Sequence, residues 1–70
     1  MERTQVNSSN IRSIGYDEQS SILEVEFISG SIYQYLNFPE YLYQQFINAS
    51  SYGGFLNDHI RYNYQYQKIR

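Results

Sequence analysis

The stretch ILEVEFISGSIYQYLNF, residues 22–38, decides the fold of this chain. Its first half alternates strictly: Leu23, Val25 and Phe27 share one face, and the two glutamates between them share the other. Alternation of apolar and polar residues with a period of two is typical of a half-buried β-strand. Gly30 then marks a turn into a second strand, so the stretch predicts a β-hairpin.

The length of the hairpin loop determines the face on which Tyr33 and Tyr35 lie. A two-residue loop, Ser29-Gly30, would set Tyr33 opposite Glu26 and leave both tyrosines on the solvent face. A three-residue loop with a left-handed Gly30 in a bulge would set Tyr33 opposite Val25 and turn both tyrosines toward the core. Serine fits poorly at the first position of the two-residue turn, so the sequence favours the bulged loop and core-facing tyrosines.

The segments around the hairpin complete an α+β domain. IRSIGYD, residues 11–17, predicts a strand before the hairpin, and PEYLYQQFINAS, residues 39–50, predicts a helix that begins near Pro39. SSYGGFLNDHI predicts a second short helix capped by Ser50 or Ser51. We therefore expect a three-stranded antiparallel β-meander, then two short helices packed on one face, then an extended C-terminal segment. The apolar stripe of the first helix is Leu42, Tyr43, Phe46 and Ile47, and the expected buried residues of the second are Phe55, Leu56 and Ile60.

Length and composition limit the classes of protein to which the chain can belong. Seventy residues, spanning 1–70, make one small domain, of which residues 1–5 are polar and expected to be loose. The chain has no cysteine, so its packing rests largely on nine tyrosines and four phenylalanines. No apolar run is long enough for a membrane span and no signal-peptide core is present, so we expect a cytoplasmic protein without membrane contact. The net charge of −2 argues mildly against a nucleic-acid coat protein.

The C-terminal region carries the best candidate for a ligand surface. Cationic side chains alternate there with aromatic ones, so that the former can hold phosphates while the latter stack on unpaired bases. The alternative is that the alternating tyrosines form an edge strand and the cations only keep it soluble. The candidate RNA contacts are His59, Arg61, Tyr62, Tyr64, Tyr66 and Lys68.

A second cluster, Asn57, His59 and Arg61, favours a structural role. His59 is the single histidine and has no nucleophile at a fixed spacing. Asn57 is expected to cap backbone groups or to bind a tyrosine hydroxyl, and Arg61 to pair with Glu24, Glu26 or Asp58 or to stack on a tyrosine. Because the sequence also lacks a metal-ligand set and a phosphate-binding loop, we expect no catalytic residues, no metal and no cofactor.

In its ordered set of short motifs the chain resembles the KTSC domain family, named for its occurrence at the C-terminus of some lysyl-tRNA synthetases and also found as a small bacterial protein. The resemblance covers about residues 6–66. Its matching residues are Ser8-Ser9, Ile14-Gly15-Tyr16, Leu23-Glu24-Val25-x-Phe27, Gly30, Tyr33-x-Tyr35, Pro39-Glu40, Ser51-x-Gly53, Phe55-x-Asn57 and Ile60-Arg61.

The resemblance implies a small α/β domain with no established activity, and RNA binding has been suggested for the family. It implies structural roles for Tyr33, Tyr35, Gly53, Phe55 and Asn57. Family members often carry Lys or Arg in and after the second helix, where this chain has Tyr52, Gly54 and Asp58. We expect a small non-catalytic binding module with RNA as the leading partner; the alternative is a protein-interaction or self-association domain that uses a tyrosine-rich surface.

Overall fold

A computed structural model describes all residues 1–70 and shows an antiparallel sheet with helices packed on one face. Helix α1 spans Glu40–Ile47, and α2 (Tyr52–Phe55) continues directly into a π-helical turn, Leu56–Ile60. No helix is long and apolar enough to cross a membrane. The strands lie in the sheet in chain order: β1 (Thr4–Gln5), β2 (Ile11–Asp17), β3 (Ile22–Phe27), β4 (Ile32–Tyr35) and β5 (Tyr66–Lys68).

The predicted α+β class is confirmed, but the sheet has five strands where the sequence predicted three. The start of the chain, expected to be loose, pairs Thr4 with Ile14 on β2, and the C-terminal segment pairs Tyr66 with Tyr35 on β4. Both added strands are short, exposed edge strands. The start of the chain shows no alternation of apolar residues, so nothing in the sequence marks β1 as a strand, whereas the alternating C-terminal tyrosines had left an edge strand open as an alternative.

The hairpin has the bulged register that the sequence favours. Val25 lies opposite Tyr33 and Leu23 opposite Tyr35. Gly30 adopts a φ of 99°, its N–H donates to the carbonyl of Phe27 at 2.9 Å, and Phe27 N–H donates to Ser31 at 2.9 Å. Left-handed backbone of this kind favours glycine. Tyr33 and Tyr35 therefore lie on the helix-covered face, Tyr35 buried and Tyr33 half-buried.

A bulge in β2 brings two isoleucines to the core. Ile11 lies opposite Phe27 and Ser13 opposite Glu26, so Arg12 is one residue in excess and stays exposed. Ile11 and Ile14 are both buried although they are three residues apart, a spacing that a regular strand would place on opposite faces. The bulge thus lets the strand bury both side chains under the helices.

The core fills the space between the sheet and the helices. Phe38 and Phe46 are its largest fully buried side chains, and Leu42 packs with them from α1, which confirms most of the predicted stripe. Leu56 and Ile60 are buried as predicted, whereas Phe55 is half-buried and stacks on Phe46. The buried cluster consists of Ile11, Ile14, Leu23, Val25, Tyr35, Phe38, Leu42, Phe46, Leu56 and Ile60.

The face of the sheet that carries no helices is covered by a hydrogen-bonded network of polar side chains. Glu24 is only 5% exposed and accepts hydrogen bonds from Arg3 and from Gln34 Nε2, the latter at 2.8 Å. Glu26 accepts from Ser13 Oγ at 2.8 Å and from Arg70 Nη2 at 3.1 Å. The two carboxylates of the alternating strand are therefore paired, so this face needs no second layer of helices.

The segment between the π-helical turn and β5 is not the regular extended run that alternating tyrosines suggested. Residues 61–64 form turns, in which Tyr62 is exposed while the Tyr64 ring packs on Phe38 with centroids 4.8 Å apart. Leu36 N–H donates to the carbonyl of Gln65 at 2.8 Å, and this bond sets the chain beside β4. Sheet pairing begins only at Tyr66.

Candidate functional site

A groove of about 890 Å³ opens between the helix-covered face of the sheet and the helix formed by α2 and the π-helical turn. It lies at the end of the sheet where Ile11 pairs with Phe27. We call it the tyrosine groove, because Tyr33, Tyr35, Tyr62 and Tyr66 all line it. Its volume falls in the range of pockets that hold small molecules or single units of a polymer, roughly 300–1,000 Å³.

Three of these tyrosines form a layered aromatic surface. The rings of Tyr33 and Tyr66 stack across β4 and β5 with centroids 5.2 Å apart, and Tyr35 lies 5.8 Å from Tyr66. Phe27 closes the layer edge-on against Tyr33 at 5.4 Å. Tyr66 is 54% exposed, so one aromatic face at the outer end of this layer remains accessible to a ligand.

The hydroxyl groups of these tyrosines are not used by the fold. Only Tyr16 and Tyr52 donate a tyrosine hydroxyl within the protein, to the carbonyls of Phe38 and Ile47. The core-facing Tyr33 and Tyr35 make no hydroxyl hydrogen bond within the protein. Burial raises the pKa of Tyr35 to about 12, so its phenol stays protonated and can donate a hydrogen bond at neutral pH.

The helical wall of the groove presents Asn57 and Arg61. Asn57 follows the buried Leu56, and Arg61 follows the buried Ile60. Because Leu56 and Ile60 anchor the helix in the core, the residues after them line the groove. The Arg61 guanidinium lies 5.3 Å from the Tyr62 ring centroid, within range of a cation–π contact. This contact matches the expectation that Arg61 stacks on a tyrosine. The alternative, an ion pair of Arg61, does not form, because the arginines that pair with Glu24 and Glu26 are Arg3 and Arg70.

The third wall is the loop that joins β1 to β2. Ser8 Oγ accepts hydrogen bonds from the N–H groups of Asn10 and Ile11, both at 3.3 Å, and these bonds shape the loop. Asn10 also approaches Gly53 closely: a Cβ at Gly53 would lie 3.2 Å from the Asn10 Nδ2 atom. A smaller polar pocket of about 210 Å³ adjoins the groove and shares Ser9, Asn10, Gly53 and Gly54 with it.

No carboxylate lines the tyrosine groove, and Arg61 is its one cationic residue. Glu24 and Glu26 are held on the far face of the sheet, while Asp17 and Glu18 lie at the opposite end of the β2–β3 pair. The chain's negative balance is therefore not concentrated at this surface. The local field of the groove is set by Arg61 rather than by the net charge.

The structure brings together seven of the eleven residues that the sequence nominated. Arg61, Tyr62 and Tyr66 line the groove, and so do Tyr33, Tyr35, Gly53 and Asn57 from the family motif. Lys68 lies opposite Tyr33 in register, beside the groove but outside its lining. The other three are elsewhere: Tyr64 packs on Phe38, and His59 and Phe55 pack on each other at 4.6 Å.

Sequence reasoning missed the walls that come from distant parts of the chain. Ser9, Asn10, Phe27 and Ile28 line the groove, but none of them belongs to a motif with evident chemistry. No signal in the sequence joins residues 9–10 to residues 53–57, because their contact depends on how the second helix sits on the sheet. The structure shows no group of three or more His, Cys, Asp or Glu side chains that could hold a metal ion.

Comparison with known proteins finds relatives that match most or nearly all of the chain. An uncharacterised protein from Stutzerimonas stutzeri is 40% identical over 70 residues, 99% of each sequence. A lysine–tRNA ligase from Nostoc punctiforme is 30% identical over 59 residues, which cover 84% of this chain but 10% of that enzyme. The crystal structure of a KTSC domain protein from Yersinia pestis superposes with a TM-score of 0.96 at 40% identity, covering 99% of this chain and 97% of the other. The sequence model of the KTSC domain matches residues 7–64, and the chain belongs to the KTSC domain family.

Proposed function

We propose that this chain is a non-catalytic binding module that holds single-stranded RNA in the tyrosine groove. The observation that carries the proposal is the pairing of an aromatic surface with Arg61, a cation that has no carboxylate partner in a groove free of acidic side chains. Unpaired bases stack on aromatic rings, and a guanidinium binds phosphate through several donors. Of the nominated contacts, Arg61, Tyr62 and Tyr66 form the centre of the interface.

Two further residues fit the same ligand. Lys68 lies on the strand beside Tyr33, where its ammonium group can meet a phosphate that leaves the groove along β5. Asn57 is exposed on the helical wall, and its amide can bind a base edge. His59 and Tyr64 do not line the groove but pack on Phe55 and Phe38, so the proposal gives them no direct contact with RNA.

Fluorescence anisotropy with a short labelled single-stranded RNA of mixed sequence, at low and moderate salt, tests the proposal. We expect saturable binding that weakens with salt, since phosphate contacts release counterions. Arg61→Gln should weaken binding about tenfold, as expected for loss of a charged hydrogen bond, and lower the slope of log affinity against log salt by about 0.7. Arg12→Gln is the matched control, because Arg12 is an exposed arginine outside the groove lining.

Absence of binding by the unmodified protein at low salt would overturn the proposal. Equal losses for Arg61→Gln and Arg12→Gln would also contradict it, because they would point to diffuse attraction rather than to the groove. Binding to Tyr62→Ala and Tyr66→Ala at the original affinity would remove the stacking part of the proposal.

A protein-interaction function is the second candidate, favoured by exposed apolar side chains, of which Ile28, Tyr62 and Tyr66 line the groove. Tyr62 is 79% exposed, and Ile28, Tyr66 and Ile69 are also exposed. Aromatic residues of this kind are enriched at protein interfaces. Self-association would appear as a mass that rises with concentration in light scattering and that responds little to salt, whereas RNA affinity falls steeply with salt.

A further inference from the structure

The Tyr35 hydroxyl is an unused hydrogen-bond donor at the floor of the tyrosine groove. Tyr35 is 2% exposed, and its hydroxyl has no partner in the protein, unlike those of Tyr16 and Tyr52. No fully buried side-chain oxygen lacks a partner in this structure. The small accessible part of Tyr35 therefore includes the hydroxyl, and the space it meets is the groove that the residue lines.

Tyr35 and Arg61 both line the groove, Tyr35 from the sheet and Arg61 from the residue that follows the π-helical turn. Burial raises the pKa of the Tyr35 phenol to about 12, and the positive charge of Arg61 opposes part of that rise, which means that the two groups lie within electrostatic range. The phenol keeps its proton at neutral pH, and a guanidinium is always charged. Two donors, one neutral and one cationic, therefore face a groove that is lined by no carboxylate.

Resting on the proposed function above, we infer that the Tyr35 hydroxyl and the Arg61 guanidinium bind the same phosphate group of a nucleotide, with its base stacked on the exposed ring of Tyr62 or Tyr66. A phosphate offers several acceptor oxygens that point in different directions, so it can accept from a strand residue and from a helix residue together. Tyr35 thus acts as a ligand-binding residue as well as a core residue. The inference explains why a nearly buried position carries a hydroxyl that the fold does not use.

Tyr35→Phe isolates this role, because it removes one oxygen that makes no hydrogen bond inside the protein. The variant should keep the fold and its stability, yet bind short single-stranded RNA about tenfold more weakly, as expected for loss of a hydrogen bond to a charged group. The slope with salt should stay unchanged, since a neutral donor releases no counterion, whereas Arg61→Gln lowers it. The matched control is Tyr16→Phe, which removes the hydroxyl bonded to the Phe38 carbonyl and should lower stability without changing RNA affinity.

An NMR titration with uridine 5′-monophosphate and with uridine identifies the ligand group. We expect the Arg61 side-chain N–H signal to shift with the nucleotide and not with the nucleoside, and the shift to weaken in Tyr35→Phe. Equal responses to nucleotide and nucleoside, or displacement of the nucleotide by a peptide with a free terminal carboxylate and not by RNA, would overturn the inference.

The two proposals fail in distinguishable ways. RNA binding by Tyr35→Phe at the affinity of the unmodified protein would overturn the role of Tyr35 and leave RNA binding intact. Absence of RNA binding by the unmodified protein would overturn the proposed function, and the inference would fall with it if uridine 5′-monophosphate also left the Arg61 signal unshifted. A nucleotide bound without RNA affinity would assign the phosphate site to a free nucleotide instead of to RNA.

Discussion

Tyr33 on β4 and Tyr66 on β5 stack face to face, with ring centroids 5.2 Å apart and planes inclined by 19°. The stack joins a strand at the C-terminus to the hairpin that starts the fold, and it also builds the aromatic surface of the tyrosine groove. One contact therefore contributes to the stability of the edge strand and to the shape of the candidate site.

The contribution of this stack to stability can be measured with a double-mutant cycle of Tyr33→Leu and Tyr66→Ala. We expect a coupling free energy of about 0.5–1.5 kcal/mol, because stacked aromatic pairs contribute that much beyond the area they bury. Urea unfolding of the four proteins gives the value. Additive effects within about 0.3 kcal/mol would mean that the two rings lie together without stabilising each other.

Replacing Tyr35 with alanine should strongly destabilise the domain. The ring is 2% exposed and packs in the central cluster, so its removal leaves a cavity and costs about 3 kcal/mol or more in the free energy of unfolding. Tyr62→Ala removes the same side chain at a position 79% exposed and should change stability by less than about 0.5 kcal/mol. Denaturant titration of both variants checks this, and comparable losses would contradict the burial of Tyr35.

The stability of the protein should fall at alkaline pH because of Tyr35. The pKa of this residue is about 12 in the folded protein, raised by burial from its ordinary value of 10.0. The unfolded chain loses the proton first, so the stabilisation is complete below pH 10 and is lost as the pH rises from 10 toward 12. Melting temperatures across this window should fall less steeply in Tyr35→Phe.

Two other tyrosines contribute to the same alkaline loss. Burial also raises the pKa of Tyr43 and of Tyr64, so Tyr35→Phe flattens the pH profile without abolishing its slope. An unchanged profile in the variant would show that Tyr35 titrates alike in the folded and unfolded chains.

Glu24 should matter to stability although it lies on the face without helices. Its carboxylate accepts from Arg3 and Gln34, so Glu24→Ala leaves two donors short of a partner and costs about 2 kcal/mol. The part-exposed Arg3 regains water, which keeps the cost below that of a fully buried pair. Thermal melts should show no comparable loss for Glu18→Ala, an exposed glutamate, and equal losses would contradict the network.

The sequence predicted the parts of the fold that depend on local pattern. Leu23, Val25 and Gly30 carry the alternation and turn that determine the hairpin register, and the helical stripe of Leu42 and Phe46 repeats at the helical period. The sequence did not predict β1 as a strand and left β5 undetermined. Each of these edge strands pairs with one strand that the hairpin or β2 must already provide, and a local pattern does not show such pairing. Local pattern was informative wherever one face of an element is buried.

The candidate site was harder to predict, for a physical reason. Arg61 and the tyrosines were nominated by residue type, but alternation in the sequence suggested that Tyr62, Tyr64 and Tyr66 share a face. The turn at residues 61–64 separates them, so Tyr64 enters the core while Tyr62 stays at the groove. Glu24 and Glu26 were named among the alternative partners of Arg61, because a sequence does not show which arginines reach the far face of the sheet.

Arg3 and Arg70 both contact the carboxylate of Glu26, at 3.8 Å and 3.1 Å, so side chains from the first and last segments of the chain meet on the central strand although β1 and β5 are the two edges of the sheet. Chains whose ends lie at the surface tolerate circular permutation. A permuted version with residues 1 and 70 joined by a flexible linker that can span four strand spacings, roughly 19 Å, and with new ends in an exposed loop tip such as residues 18–20, should fold to the same sheet. In such a molecule β1 and β5 would become consecutive in the chain while remaining the two outer strands. The tyrosine groove, assembled from residues far from the new cut, would be unchanged.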